Sequence, residues 1–440
     1  MTHQKKRAAQ PLSYLALAAL LGGTGLARAA VVFDNDKLKV ELYGILDAGV
    51  GYLEHSWPGS AVFASTVNPY NLNASPHSFT GLYTGGISMS RVGLRGEAQF
   101  GSGRKVFFRF ETAINVTTGV LSNNGQSIYN NINGLKTANA ASAINGQWDS
   151  RCAYLGVSDP AFGSLQVGRT INLSLDQVVE YDPVQAALLY SPLGFSGGIG
   201  GGLGATENSR LDSSLKYENK IGGVSFGAQY KLAGDKNSQG AGYGWVAMLA
   251  YGAGRFSFKG TFSEQTNTLT WPVQYSNVVT PSANLQVENT KGYMVTGLYK
   301  LADAATLKAG YENLTVSAPS NTNLTGIQDY FGIILPRPAV NAGGQQHYGL
   351  WWVGGDYHVT KEFDVGVGFY DINTYNQPEI GRTYRANAYS LLADYNFNSR
   401  FDGYLGLMLM HYSGPGLLNR APIDAYSSNA LYGVGIRYKF

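Results

Sequence analysis

Charged side chains share one face of several segments of this chain, and apolar side chains share the opposite face. Arg91, Arg95 and Glu97 share one face of such a segment, because successive side chains of a β-strand point to opposite sides. The opposite face carries Val92, Leu94 and Phe100. An arginine facing hydrocarbon would cost about 2–4 kcal/mol at the bilayer midplane. These charges are therefore expected on a face that meets water.

A second segment repeats this arrangement near the middle of the chain. Arg210 shares a face with Asp212 and Lys216. The face opposite carries Leu211, Leu215 and Tyr217. The same cost of burying a cation in hydrocarbon predicts that Arg210 also faces water.

Three carboxylates lie close together between these segments. The first half of residues 170–208 contains Asp176, Glu180 and Asp182, and the whole range has no lysine or arginine. Acids facing arginines across a narrow, partly desolvated gap would create a transverse field, which orients water and favours small polar solutes over apolar ones. The alternative is that these acids are ordinary solvated loop charges.

The elements that must hold these residues are short alternating strands. Ala430–Phe440 is the clearest, because one of its faces is entirely apolar or aromatic: Tyr432, Val434, Ile436, Tyr438 and Phe440. Similar alternation recurs in segments 105–111, 224–232, 255–263, 363–370 and 389–397. Beyond residue 29, no apolar run approaches the roughly 18 residues of a transmembrane helix. The pattern favours an all-β, membrane-spanning, closed antiparallel barrel.

Turn signals alternate between short and long connections. Short turns are predicted near 101–104, 159–163, 219–222, 252–254, 301–304, 359–362 and 398–402, and long loops near 55–86, 118–148, 170–208, 268–288, 317–345 and 414–428, with shorter ones near 235–241 and 376–384. Transmembrane barrels have short turns at one end and longer loops at the other. We therefore predict about sixteen strands in a single domain, residues 30–440.

The N-terminus has the features of a secretory signal peptide. Lys5, Lys6 and Arg7 precede the short apolar stretch Leu12–Leu21, and Ala27-Arg28-Ala29 fits a cleavage site. An uncleaved anchor is the alternative to a signal peptide spanning residues 1–29. That segment contains four of the basic residues and no acid, so its removal changes the formal charge from +3 to −1. The basic composition thus gives no support for nucleic-acid binding.

Several runs resemble segments of the Gram-negative general porins, and most closely those of the β-proteobacterial branch. The runs are Val40–Val50, Ser90–Gly96, Phe162–Arg169, Arg210–Tyr217 and the terminal Phe440. The resemblance implies a homotrimer of sixteen-stranded barrels in the outer membrane, each with a water-filled pore narrowed by an inward-folded third loop. It also implies contact with outer-membrane lipid and lipopolysaccharide, and recognition of Phe440 by the barrel-assembly machinery.

The resemblance also implies where the pore is narrowest, since in this family basic wall residues face acids of the inward loop. Arg91, Arg151 and Arg210 match the basic wall positions. With Arg95 on the face of Arg91, the predicted constriction consists of Arg91, Arg95, Arg151, Arg210, Asp176, Glu180 and Asp182. Arg169 shares a face with Leu165 and Val167, so it is excluded unless the strand ends or bulges there.

The resemblance implies a general diffusion porin. Bases exceed acids by one in the predicted constriction, which predicts a weak preference for anions. A substrate-selective channel of the same fold is the alternative, and a line of aromatic residues along one wall would mark it. Tyr43, Phe107 and Tyr370 are too dispersed in the sequence to establish such a line. A barrel enzyme is less favoured because the strand count is too high. The histidines lack metal-ligand spacing, and no cofactor is expected.

The homotrimer also has an argument from the residues. If Arg151 faces the pore, strict alternation turns Cys152, Tyr154 and Gly156 outward, where they would make a poor lipid-facing surface. This surface is therefore predicted to contact a neighbouring subunit. The alternative is a monomer with a thin patch at this strand. Cys152 is the single cysteine and cannot form an internal disulfide.

Overall fold

The structure is a computed structural model that describes residues 30–35, 37–54, 78–117, 119, 151–195, 210–232, 243–270, 286–317, 345–375, 384–413 and 428–440. The predicted signal peptide, residues 1–29, lies outside this part of the chain, as does nearly all of the predicted 118–148 loop. In the described segments, no helix has the length and apolar character needed to cross a membrane.

Nearly all of the described chain is β-strand, arranged in one sheet. The strands are β1 (Ala30–Asp34), β2 (Leu38–Leu53), β3 (Phe79–Thr84), β4 (Arg91–Gln99), β5 (Lys105–Ala113), β6 (Cys152–Asp159), β7 (Gly163–Ile171), β8 (Arg210–Ile221), β9 (Val224–Lys231), β10 (Gly244–Ala253), β11 (Phe256–Thr270), β12 (Gln286–Ala302), β13 (Ala305–Ser317), β14 (Gln346–His358), β15 (Phe363–Tyr375), β16 (Tyr384–Asn396), β17 (Phe401–Ser413) and β18 (Ser428–Lys439). Two helices follow β7: α1 (Leu173–Tyr181) and the 3-10 helix Pro192–Phe195.

The sheet closes on itself, because β18 pairs antiparallel with β2. β3 and β4 share one wall position, since they pair with the two halves of β2. β1 pairs with residues 39–42 of β2, and β18 pairs with residues 45–53, so β1 and β18 also share one wall position. The described strands therefore form a closed antiparallel barrel of sixteen positions, which confirms the predicted fold class. The terminal residue completes the closure, as Phe440 and Gly44 exchange backbone hydrogen bonds of 2.9 and 3.0 Å.

Short and long connections alternate around the barrel as predicted. Each predicted short turn joins two consecutive strands in the structure, for example β4–β5 around Gly101–Arg104 and β10–β11 around Gly254. One loop prediction is wrong at its end: residues 79–84 of the predicted 55–86 loop form β3. The error arises because residues 85–90 interrupt the wall position that β3 and β4 share, so β3 is a short strand separated from the longer alternating segment.

The outward face of the wall is apolar, whereas the inward face is polar outside the area that the segment Leu173–Leu193 covers. Phe256 and Phe258 on β11 are 52% and 53% exposed, as expected of side chains that meet lipid. Ser257 and Lys259 point the other way and contact the segment that contains α1. Alternation along each strand thus decides which side chains reach the interior.

Helix α1 begins the segment that follows β7. Asn172 caps it, accepting a hydrogen bond of 2.9 Å from the Ser174 backbone N–H. Asp176 lies in the first turn, where a negative charge favours the helix dipole. Pro183 follows the last turn and cannot continue the helix. Local chemistry therefore sets both ends of this helix.

The segment Leu173–Leu193 packs against the inner wall of the barrel. Val178, Val184, Leu189, Tyr190 and Leu193 form one buried apolar cluster with inward side chains of the wall. The wall contributes Tyr83, Met294, Trp352, Tyr370, Tyr404 and Met408, among others. This cluster, which we call the loop–wall core, covers the inner face of β12 and β14–β18.

Candidate functional site

Glu111 is the centre of an arginine cluster on the inner wall. Its side chain is 1% exposed and contacts three arginines from three different wall segments. Arg151 Nε lies 2.5 Å from Oε1, while Arg109 and Arg91 lie 2.6 and 3.6 Å from Oε2. Tyr43 donates a further hydrogen bond of 2.8 Å to Oε2. The carboxylate therefore holds like charges together that would otherwise repel one another.

Arg210 joins this cluster because the wall is irregular beside it. The pairing of β7 with β8 shifts register between Gly168 and Thr170, where Gly168 has a φ of 131°. Ser213 opposite also has a positive φ, of 48°. Arg210 interacts electrostatically with Arg151, Arg169 and Glu111. We call Arg91, Arg109, Arg151, Arg169, Arg210 and Glu111 the arginine cluster.

The register shift is a β-bulge. It makes the sequence prediction for Leu211 wrong and decides the open prediction for Arg169. Leu211 was expected to face outward, but it is 1% exposed and packs with Leu173 and Val246. Arg169 was excluded unless the strand bulged; the bulge is present, and the guanidinium charge of Arg169 acts on Arg210. Strict alternation fails here because the extra residue of a bulge disrupts the pairing locally, so the facing of its neighbours no longer follows from their spacing.

Arg95 lies one step away from the cluster. Its Nε contacts Glu41 at 2.8 Å, and its guanidinium lies 5.1 Å from the centre of the Tyr43 ring. Its cross-strand neighbour is Arg109. Arg95 therefore faces the interior, as predicted, but is paired with a carboxylate of its own.

Two of the predicted acids are paired with lysines of the wall. Asp176 Oδ2 lies 2.6 Å from Lys216 Nζ, and Glu180 contacts Lys259. Both carboxylates remain 42–45% exposed. Alternation on β8 predicted that Lys216 faces inward, but no local pattern indicated that it would contact Asp176. These acids line the interior with their charge partly neutralised.

Asp182 differs from the other two acids, because its side chain is 0% exposed. Its Oδ1 accepts a hydrogen bond of 2.5 Å from the Tyr370 hydroxyl, and its Oδ2 accepts one of 2.5 Å from the Ala186 N–H. Lys308 Nζ donates to its backbone carbonyl at 3.2 Å. Asp182 anchors the segment to the wall, and its carboxylate does not line the open interior.

Burial raises the pKa of Asp182 to about 6, although the hydrogen bond from Tyr370 opposes that rise. A carboxyl whose folded pKa is raised stabilises the docked segment most when protonated, below about pH 4, and loses that contribution as pH rises through 6. Asp182→Asn cannot titrate. We expect the unfolding temperature of the wild type in detergent, measured relative to D182N, to be higher at pH 4 than at pH 7. A pH-independent difference would contradict this role.

Cys152 does not face lipid, so the sequence argument for a subunit contact at this strand is wrong. Cys152 is 0% exposed, and it lies near Glu111 and Arg109. The outward residues of β6 are instead Leu155 and Val157, at 56% and 45% exposed. Arg151 precedes the first residue of β6, so its inward position says nothing about the facing of the strand.

The cluster gives one wall of the interior a positive charge. Counting its described side chains, five arginines and one glutamate leave a formal charge of +4. The constriction predicted from the sequence did not include Arg109 or Glu111, and it excluded Arg169. The alternation of β5 already placed Arg109 and Glu111 on one face; their convergence with arginines of other strands required the fold.

Replacing Glu111 by glutamine should raise anion preference and lower stability together. The amide keeps the shape but removes the charge that offsets three arginines. Breaking a buried ion pair costs about 3–5 kcal/mol, and partial exposure of the arginines reduces this to about 1–2 kcal/mol. Reversal potentials and the thermal midpoint in detergent would measure both effects. An unchanged reversal potential would show that Glu111 lies away from the ion path.

Comparisons with known proteins agree with the fold. The sequence model of the Gram-negative porin family matches residues 16–415. An outer membrane porin protein of Bordetella pertussis is 30% identical over 228 residues, which is 51% of this chain and 49% of that protein. The chain thus aligns with about half the length of that relative.

Solved structures show the same architecture. An anion-selective porin from Comamonas acidovorans aligns with 92% of this chain and 100% of its own, with a TM-score of 0.62 and 20% identity. An in-vitro folded OmpT of Vibrio cholerae, in a trimer form, aligns with 92% of this chain and 100% of its own, with a TM-score of 0.57 and 16% identity.

Proposed function

The chain belongs to the Gram-negative porin family of the outer membrane, and from that premise we propose that it is a general diffusion porin with a preference for anions. Ions and small hydrophilic solutes would pass through the water-filled interior of the barrel without a cofactor. Family and fold both point to a channel rather than to an enzyme.

One observation carries the anion preference: three arginines share the carboxylate of Glu111, and the charges of Arg210 and Arg169 add to this group. The acids of the loop segment offset this charge only in part, because Asp176 and Glu180 each contact a lysine and Asp182 is buried. Arginine keeps its charge at every working pH. The wall is thus more basic than the excess of one expected from the sequence.

The position of the loop–wall core supports a pore that runs along the opposite side of the barrel, beside the arginine cluster. Apolar packing fills the space between the segment Leu173–Leu193 and β12 and β14–β18. The remaining space lies beside the arginine cluster, which is carried on β4–β8. Exposed Asp176 and Glu180 face that space from the segment. Charges of opposite sign on two sides of a narrow passage would orient water and disfavour apolar solutes.

Reconstitution would test the channel itself. Purified protein in planar bilayers should give stepwise conductance increments, and liposomes containing it should swell at a rate that falls as the test sugar grows larger. Empty liposomes and heat-denatured protein are the controls. Absence of both conductance and swelling from protein with intact β-structure by circular dichroism would contradict a diffusion channel.

We further propose that the protein is a homotrimer in contact with lipid and lipopolysaccharide, and that Phe440 serves as the signal for the barrel-assembly machinery. The trimer form of the Vibrio cholerae OmpT neighbour supports the first part. The pairing of Phe440 with Gly44 at barrel closure supports the second. Light scattering in mild detergent should give three times the protomer mass, whereas a monomeric species would contradict a trimer.

A further inference from the structure

Three aromatic side chains lie together on the inner wall, although they are distant in sequence. We call Tyr43, Phe107 and Tyr154 the aromatic shelf. The Phe107 and Tyr154 rings meet edge to face, with centroids 6.3 Å apart and planes at 83°. All three side chains are half-buried, so each keeps surface that a solute in the pore can reach. Phe107 and Tyr154 thus form a pair, and Tyr43 lies on the other side of Arg109, which donates a hydrogen bond to the Tyr43 hydroxyl and is the cross-strand neighbour of Tyr154.

Glycines opposite the shelf let two of the rings lie flat on the wall. A Cβ added to Gly156 would come within 2.4 Å of the Phe107 ring, and one added to Gly93 within 2.6 Å of the Tyr43 ring. Each glycine is the cross-strand partner of the aromatic residue that covers it. The Phe107 ring covers Gly156 on one side, so its other face is directed toward the interior.

Two arginines border the shelf. The guanidinium carbons of Arg95 and Arg109 lie 5.1 and 5.3 Å from the centre of the Tyr43 ring, within the range of cation–π attraction. Arg109 is also the cross-strand neighbour of Tyr154. Arg95 is 52% exposed and Arg109 30% exposed. Cationic donors and aromatic faces are therefore available at one place on the wall.

Phe107 and Tyr154 lie on the short-turn side of Glu111, whereas Tyr43 reaches the arginine cluster itself through its hydrogen bond to Glu111. Phe107 precedes Glu111 by four residues on β5, a distance of about 13 Å at the usual rise of a strand. An anion that had passed the arginine cluster would meet the shelf next. The cluster selects for negative charge, whereas the shelf offers a surface that distinguishes the shape of the anion.

We propose that the aromatic shelf, with Arg95 and Arg109, is a subsite for small planar aromatic carboxylates. The ring of the solute stacks on Phe107 and Tyr154, while its carboxylate meets the two guanidinium groups. This rests on the proposed function as an anion-conducting pore and adds a solute class to it. A saturated ring of the same size and charge gains the ion pair but not the stacking.

Benzoate and cyclohexanecarboxylate test the subsite, because both carry one carboxylate on a six-membered ring. Each is added at increasing concentration to wild-type channels that carry chloride current in a planar bilayer. Benzoate should reduce the current in a saturable way, with a half-blocking concentration about two- to tenfold lower than that of cyclohexanecarboxylate, the range expected for an aromatic contact. Equal half-blocking concentrations for the two anions would overturn the proposal.

Variants assign the effect to the shelf. The double variant Phe107→Leu with Tyr154→Leu keeps apolar volume but removes both rings. Benzoate and cyclohexanecarboxylate should then have about equal half-blocking concentrations. Phe110→Leu is the matched control, since Phe110 lies on the same strand with its ring 46% exposed outward. A benzoate preference that survives F107L/Y154L would place the site elsewhere and overturn the assignment. Absence of chloride current through the wild-type protein would instead contradict the proposed function as an anion-conducting pore.

Discussion

Replacing Arg91, Arg151 and Arg210 together by serine is expected to shift the selectivity of the channel toward cations. The triple variant leaves two arginines and Glu111, so the formal charge of the cluster falls from +4 to +1. A unit charge about 7 Å from an ion in water contributes roughly 0.6 kcal/mol. Removing three such charges should lower the ratio of anion to cation permeability severalfold at low salt. Screening should reduce the effect at high salt.

A matched triple variant controls for net charge. Arg104, Lys220 and Arg255 are exposed residues at the short-turn end of the barrel. Their replacement by serine removes the same charge from the protein but none from the cluster, so the reversal potential should stay near the wild-type value. Circular dichroism would verify that both variants keep the barrel. If the two variants shifted the potential equally, the cluster would not line the ion path.

Replacing Gly406 by valine is expected to displace the inward segment and increase single-channel conductance. The Tyr190 ring lies in a depression of the wall, where a Cβ at Gly406 would come within 2.4 Å of it. Backbone cannot yield here, and overpacking of this kind costs about 1–3 kcal/mol. The Tyr190 side chain must leave, which breaks its 3.2 Å hydrogen bond to Tyr83. The freed segment should narrow the pore less.

Two further variants separate displacement from a general effect of adding bulk. Gly260→Val places the same side chain on β11, where the nearest atom to an added Cβ is the Met294 carbonyl oxygen at 3.8 Å. Its conductance should match the wild type. Adding Tyr190→Ala to Gly406→Val removes the clash, so their effects on the thermal midpoint should not be additive. Strict additivity would mean that the ring and the added methyl groups never meet.

Most of the fold follows from the sequence because a membrane barrel imposes a simple rule. Each strand must alternate, and each turn at one end must be short. Turns such as Gly101–Arg104 and the pairing of Phe440 beside the first strand could therefore be predicted. β3 could not, because its six residues precede an interruption that Asp47 stabilises by accepting hydrogen bonds from the backbone N–H groups of residues 86–88. A long-range carboxylate contact leaves no local signal.

The site was predictable only where alternation holds. Arg91 and Arg95 face the interior as expected, since β4 is regular. Arg169 and Leu211 lie at the bulge, where a shift of register decides their facing. The burial of Asp182 depends on Tyr370, which is 188 residues away in the chain. Contacts between a loop and a distant strand arise from closure of the barrel, and spacing along the chain does not encode them.

The most direct test of the account is the zero-current potential of the wild-type channel between dilute and concentrated potassium chloride. A positive wall admits chloride more readily than potassium, so the dilute side should become negative. The magnitude should fall as both concentrations are raised at a fixed ratio, because salt screens the arginine cluster. A dilute side that becomes positive, or a potential near zero at low salt, would contradict an anion preference set by the arginines around Glu111.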